Sequence, residues 1–111
     1  NRAATFGYVA RELGRRGVAF ICAREYLAED SLLDELKTAF GGVYIANERF
    51  TLESANALLA EGRADAVAFG VPFIANPDLP ERFARHAPLN PADPETFYTP
   101  GPVGYIDYPR L

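Results

Sequence analysis

Reactive side chains are scarce in this chain. Among its 111 residues, Cys22 is the single cysteine and His86 the single histidine. One cysteine excludes an intrachain disulfide and a cysteine-based zinc site, and no metal is expected. Any serine–histidine or cysteine–histidine machine would rest on His86, which ends the polar run Arg82-Phe83-Ala84-Arg85-His86. That setting reads as a helix C-terminus, where a partly cationic ring is favourable. Cys22, near the end of an apolar run, reads as a small core residue rather than a reactive thiol. Long apolar stretches are missing too. None approaches the roughly 20 residues of a membrane span and no signal-peptide pattern is present, so a cytoplasmic protein without a membrane partner is expected. Nor is there an excess of positive charge: 11 basic against 15 acidic residues leave a net charge of −4. The adjacent pair Arg15-Arg16 is too short to track a nucleic-acid backbone, so nucleic acid is not an expected partner.

What remains is the composition of an ordinary globular domain, 49% hydrophobic and 23% charged. The length suits one small domain, residues 1–111, with a modest core. Because Asn1 is not an initiator methionine, the chain is expected to be trimmed, cut from something longer, or numbered from an internal point.

The order of the chain is that of repeated strand–helix units. Thr5 to Arg16 carries Phe6, Val9, Ala10 and Leu13 at helical spacing, and Gly17 closes it. The run Val18 to Ala23 is continuously apolar, as a strand buried on both faces would be. A second helix is predicted from Ser31 to Phe40, with Leu32, Leu33, Leu36 and Phe40 inward, and a second strand from Val43 to Ala46. Thr51 can cap a third helix with Ala55, Leu58 and Leu59 inside, ended by Gly62. The third strand runs from Ala66 to Phe69 and stops at Gly70. A short apolar loop then leads to Asn76-Pro77-Asp78, an N-cap, a first-turn proline and an acidic residue. The strand starts at Val18, Val43 and Ala66 are 25 and 23 residues apart. Right-handed crossovers of that length place three parallel strands side by side. Beyond His86 the character changes: six of the nine prolines fall between Pro88 and Pro109, interleaved with Tyr98, Tyr105 and Tyr108. Residues 87–111 are therefore predicted to be an ordered, irregular tail docked against something larger.

Three parallel strands leave two unpaired edges and need cover on both faces. An eight-stranded (β/α) barrel solves this by closure, in about 250 residues. The chain supplies three such units, so the expected fold class is α/β, a portion of a TIM barrel. Barrels often hold a phosphate between the loops after their last two strands. Two loops here qualify, Ala46-Asn47-Glu48-Arg49-Phe50 and Gly70-Val71-Pro72, and in adjacent parallel strands both emerge on one rim. Arg49 is then the natural side chain to face the phosphate, with backbone donors from Asn47 and Glu48. The plainer alternative makes Arg49 a solvated loop residue and Glu48 its exposed neighbour.

Three runs carry a resemblance: Gly42-Val43-Tyr44-Ile45-Ala46-Asn47-Glu48, Ala64-Asp65-Ala66-Val67-Ala68-Phe69-Gly70, and Phe73-Ile74-Ala75-Asn76-Pro77-Asp78-Leu79-Pro80-Glu81-Arg82. So do Ala87-Pro88-Leu89-Asn90, Phe97-Tyr98 and Gly104-Tyr105-Ile106-Asp107-Tyr108-Pro109 in the tail. In this order and spacing they resemble the C-terminal part of the Old Yellow Enzyme family, and look most like its bacterial xenobiotic, N-ethylmaleimide and nitrate-ester reductases. The resemblance implies strands six to eight of an FMN-binding (β/α)8 barrel. It also implies an NAD(P)H-dependent ene-reductase acting on activated alkenes, such as α,β-unsaturated carbonyls, or on nitro and nitrate-ester compounds. Position by position, it sets Asn47, Glu48 and Arg49 in a loop cradling the FMN phosphate. Phe69, Gly70 and Val71 fall in the second phosphate loop beside the flavin, and Tyr98 in the wall of the substrate cavity.

One departure concerns Val71, where many members have an arginine that pairs with the phosphate; Arg49 is positioned in sequence to restore that charge. The family's substrate-anchoring pair and proton-donating tyrosine belong to segments absent here, so no catalytic residue is expected in this chain. Its implied partner is an N-terminal barrel segment, as a separate chain or an exchanged subunit. The rival expectation is a non-catalytic α/β fragment that binds a phosphate-bearing ligand or self-associates through its open edges.

Overall fold

A computed structural model describes residues 1–111, all of the chain. The elements follow in the order α1 (Arg2–Arg15), β1 (Phe20–Arg24), α2 (Leu33–Phe40), β2 (Val43–Asn47), α3 (Leu52–Ala60), β3 (Ala66–Ala68), α4 (Val71–Ala75) and α5 (Leu79–Arg85). They fall into two compact units, Asn1–Ala68 and Phe69–Leu111.

The first unit is a three-stranded parallel sheet in the order β1-β2-β3, with a helix between successive strands. Helix ends are set by local chemistry. The Asn1 side chain accepts a hydrogen bond from the Ala4 amide and starts α1 three residues earlier than the periodicity predicts. Thr51 and Ser54 cap each other reciprocally at α3, as the position of Thr51 foretells. Helix α1 packs closely on α2 at Gly14, where an added Cβ would lie 2.2 Å from the Phe40 carbonyl oxygen. Only glycine permits that approach.

The core is built by α2 and the covered face of the sheet. Leu32, Leu33, Leu36 and Phe40 are buried as expected, together with Tyr44, Ala46, Ala55 and Leu58. The opposite face differs from expectation. Phe20 pairs with Val43 and Cys22 with Ile45, and of these Phe20 is 52% and Val43 48% exposed. Cys22 is exposed as well, not a core residue. Strand β1 is thus not buried on both faces, because helices of this unit cover only one side of the sheet. Phe6, Val9 and Leu59 are exposed for a related reason: nothing in the unit covers the outer flank of the helices that carry them.

In the second unit, Pro72 in the first turn and Gly70 at the N-cap wind the expected loop into the five-residue helix α4. The Gly70 carbonyl accepts from the amides of Phe73 and Ile74. Helix α5 has Asp78 at its N-cap position, without a side-chain capping bond, and Pro80 in its first turn, so the start lies two residues beyond the predicted Asn76. Asn76 is instead fully buried: its side-chain oxygen accepts from the Asn90 amide at 2.7 Å and its nitrogen donates to the Pro72 carbonyl at 2.8 Å. His86 ends α5 in the left-handed conformation, φ 50°, at the predicted helix terminus.

A buried ion pair fixes the tail. Arg82 Nε donates to Asp78 Oδ1 at 2.8 Å, and its two terminal nitrogens donate to the carbonyls of Pro88 and Pro109. Asp78 Oδ2 accepts from the Leu111 amide at 2.7 Å. Residues 87–111 hold one short helical turn, Pro94–Thr96, and are otherwise irregular yet ordered by these bonds, as the proline spacing predicts. Gly104 is required at φ 71°, since an added Cβ would collide with the Thr96 side chain at 1.9 Å.

Two outcomes follow for stability. Tyr44 is completely buried and its hydroxyl has no hydrogen-bond partner; burial, followed by the charge of Glu25, pushes its pKa up to about 12. Tyr44→Phe removes an unsatisfied group and should raise stability by about 1 kcal/mol in a urea titration; a loss of stability would contradict this account. The Arg82 side chain, then the Leu111 amide, holds the Asp78 carboxyl below its ordinary value of 3.8. A carboxyl lowered in the folded state contributes stability above its unfolded pKa, and that contribution disappears as pH falls through the folded value. Asp78→Asn should therefore lower the melting temperature at neutral pH and flatten its decline below pH 3.8 relative to the unsubstituted protein.

Candidate functional site

Strand β2 ends at Asn47, whose register partners are Arg24 on β1 and Ala68 on β3. All three strands of the first unit thus finish at one level, and the chain turns there into the loop 48–50. Its backbone is unusual. Glu48 has φ 114° and Arg49 φ 57°, two consecutive non-glycine residues in a region that L side chains rarely adopt. Such conformations cost on the order of 1–3 kcal/mol each and concentrate at functional sites. Phe50 is buried and anchors the far end of the loop.

Around this loop lies an open polar cavity of about 520 Å3, whose lining includes Arg2, Arg24, Glu25, Tyr26, Glu48 and Arg49. Its charges are mostly paired. Arg24 donates through Nε to Glu48 Oε2 at 2.7 Å, and its Nη2 lies at the same distance. Arg49 Nε is 3.7 Å from Glu48 Oε1, while its guanidinium carbon sits 5.2 Å from the centre of the Tyr26 ring. Glu25 accepts from the Leu32 amide at 2.6 Å and from the Ser31 hydroxyl at 3.2 Å, so it tethers the start of α2. Asp30 pairs with Arg2 at 3.0 Å. The Arg49 side chain is 73% exposed and that of Glu48 24%. An exposed, stacked guanidinium beside a turned backbone suits a phosphate or carboxylate ligand.

The other expected site residues belong to the second unit. Phe69 meets the Phe83 ring edge-on, with centroids 5.1 Å apart. Gly70 has φ −92°, and an added Cβ there would meet no atom within 4 Å. Neither the backbone nor the packing of this chain demands glycine at that position. Val71 opens α4 and is half exposed. Tyr98 is 97% exposed, and Tyr105 and Ile106 are largely exposed too. Sequence reading missed Arg24, because the apolar pattern of β1 drew attention and only the register shows that it adjoins Asn47. Tyr26 was missed for the same reason.

No family model matches the chain. Among curated proteins, 12-oxophytodienoate reductase 2 of Arabidopsis thaliana is 49% identical over 88 residues, which is 78% of this chain and 24% of that protein. Among solved structures, a variant of NCR from Zymomonas mobilis aligns with TM-score 0.90 and 40% identity over 96% of this chain and 37% of its own. The old yellow enzyme from Trypanosoma cruzi aligns with TM-score 0.91 and 36% identity over 99% of this chain and 30% of its own. The chain spans about a quarter of the curated relative's length and about a third of the solved chains. Its class is an α/β protein with a parallel sheet, matching these oxidoreductase structures. It belongs to the Old Yellow Enzyme family, as a stretch covering part of its members' length.

The turned loop allows a direct check of backbone strain. Glu48→Gly and Glu48→Ala both remove the carboxylate, but only glycine relaxes φ 114°. The glycine variant should be more stable than the alanine variant by about 1 kcal/mol or more in chemical denaturation; equal stabilities would show the loop to be unstrained.

Proposed function

We propose that this chain is the C-terminal part of a (β/α)8 barrel, an FMN-dependent NAD(P)H oxidoreductase that reduces activated alkenes or nitro and nitrate-ester compounds. The observation that carries this reading is likeness along nearly the whole chain, in sequence and in backbone, to reductases of one family. The residues present fit the phosphate end of a flavin nucleotide. Arg49 offers a largely exposed guanidinium that is only loosely paired with Glu48, the backbone turns at Glu48 and Arg49, and Asn47 lies at the strand end beside them. In the second loop, Gly70 leaves room that the chain's own packing does not use, and Val71 offers only its backbone N–H. Phe69 acts through Phe83, by fixing the backbone that leads to Gly70. Tyr98 is assigned to the wall of the substrate cavity.

When bound, the flavin supplies the hydride chemistry. This chain's share is to hold and orient: Arg49 neutralises the phosphate, and the loop amides fix its oxygens. No residue here is assigned a proton transfer, so the proposed activity requires the N-terminal segment of the barrel. The exposed face of the sheet, with Phe20 and Val43, is the surface that segment covers.

Arg49→Ala in the complete barrel tests the assignment. It should weaken FMN roughly tenfold or more while leaving riboflavin, which lacks the phosphate, unchanged in a fluorescence-quenching titration. Equal affinity of both proteins for FMN would remove Arg49 from the phosphate site.

A further inference from the structure

We propose that Arg24 is a positioning residue for the phosphate contact of Arg49: it binds the Glu48 carboxylate and so keeps the neighbouring guanidinium available to an anion. The inference rests on the reading of Asn47, Glu48 and Arg49 as a phosphate loop. Glu48 is an acid with two arginines at its carboxylate, and they are not equivalent. Arg24 makes the close contact, with Nε and Nη2 both 2.7 Å from Oε2. Arg49 Nε, at 3.7 Å from Oε1, is beyond hydrogen-bond distance and rests on the Tyr26 ring instead.

The same fork of N–H groups that takes a phosphate also takes a carboxylate. An acid one residue away, on a backbone turned toward the cavity, is therefore the natural competitor for Arg49. The other acids at the cavity are engaged elsewhere: Glu25 by the start of α2 and Asp30 by Arg2. Arg24 comes from the neighbouring strand, set beside Asn47 by the sheet register, and the contact spans 24 residues of sequence. Without it, Glu48 closes on Arg49, and an incoming phosphate must break that pair first. With it, the carboxylate is neutralised and held aside before the ligand arrives.

The test is a set of flavin affinities on the complete barrel, read by fluorescence quenching with FMN and riboflavin. Arg24→Ala should weaken FMN about fivefold, the scale of one exposed ion pair, with riboflavin unchanged. Arg24→Lys should retain most of the affinity. The double variant Arg24→Ala/Glu48→Gln should return FMN binding to the unsubstituted level, because the competitor for Arg49 is gone. Two results would overturn the inference: an unchanged ratio of FMN to riboflavin affinity in Arg24→Ala, whether neither flavin or both are weakened, or a double variant as weak as the single one. The last would mean that Arg24 touches the phosphate itself. An intact ratio in Arg49→Ala would instead sink the phosphate-loop reading, which separates the two failures.

Discussion

A parallel sheet of three strands cannot complete itself, and most features of the first unit follow from that. Each edge strand carries a row of backbone groups with no neighbour, and one face of the sheet lacks a covering layer. Parallel sheets are normally buried on both sides. Here the helices supply one side, where Tyr44 and Ala46 are sealed, and leave Phe20, Cys22 and Val43 on the other. The exposed apolar residues of α1, Phe6, Tyr8 and Val9, are the same shortage seen from outside. Burying such side chains is worth about 1.5–3 kcal/mol apiece, so the open surfaces are a substantial reservoir of association energy.

The second unit solves a different problem by polar means. A tail with six prolines cannot form a ladder or a long helix, so its backbone carbonyls need other partners. Arg82 supplies two of them while buried against Asp78, and Asn90 donates to the Ala75 and Pro109 carbonyls. Tyr108 adds its hydroxyl oxygen as acceptor for the Asp93 amide. A buried ion pair of this kind contributes little net stability over an apolar substitute but fixes one arrangement of the chain. The tail is ordered by a few charged and amide side chains rather than by a core of its own.

What the sequence made legible was whatever depends on period and on local chemistry. The three strands, their parallel order, the Thr51 cap, the buried face of α2 and the end of α5 at His86 all follow from spacing and capping residues. Errors arose where a tertiary partner decides. Asn76 looked like a helix cap because its neighbour is proline, yet Asn90, fourteen residues away, claims its side chain. Cys22 and β1 looked buried because an apolar run was read as if the sheet were complete. In the candidate site, Asn47, Glu48 and Arg49 were visible from the strand end and the family resemblance. Arg24 was not, since only the register of two strands brings it beside Asn47. The positive φ angles at Glu48 and Arg49 have no sequence signal at all, for neither residue is glycine.

The number of strands also discriminates between the two ways of covering the open sheet. Each copy of the chain brings three parallel strands, so closed assemblies of copies hold multiples of three. An eight-stranded barrel is not among them, and the tilt and stagger that close a barrel are tied to its strand number. A ring of six is narrower than eight and one of nine wider. The backbone agreement with solved family members extends across nearly the whole chain, so these strands already carry the curvature of that family's fold. Under the proposed reading, a complementary barrel segment satisfies strand number and curvature together. Self-association satisfies only the need to hide apolar surface, which favours the proposed partner segment over a second copy.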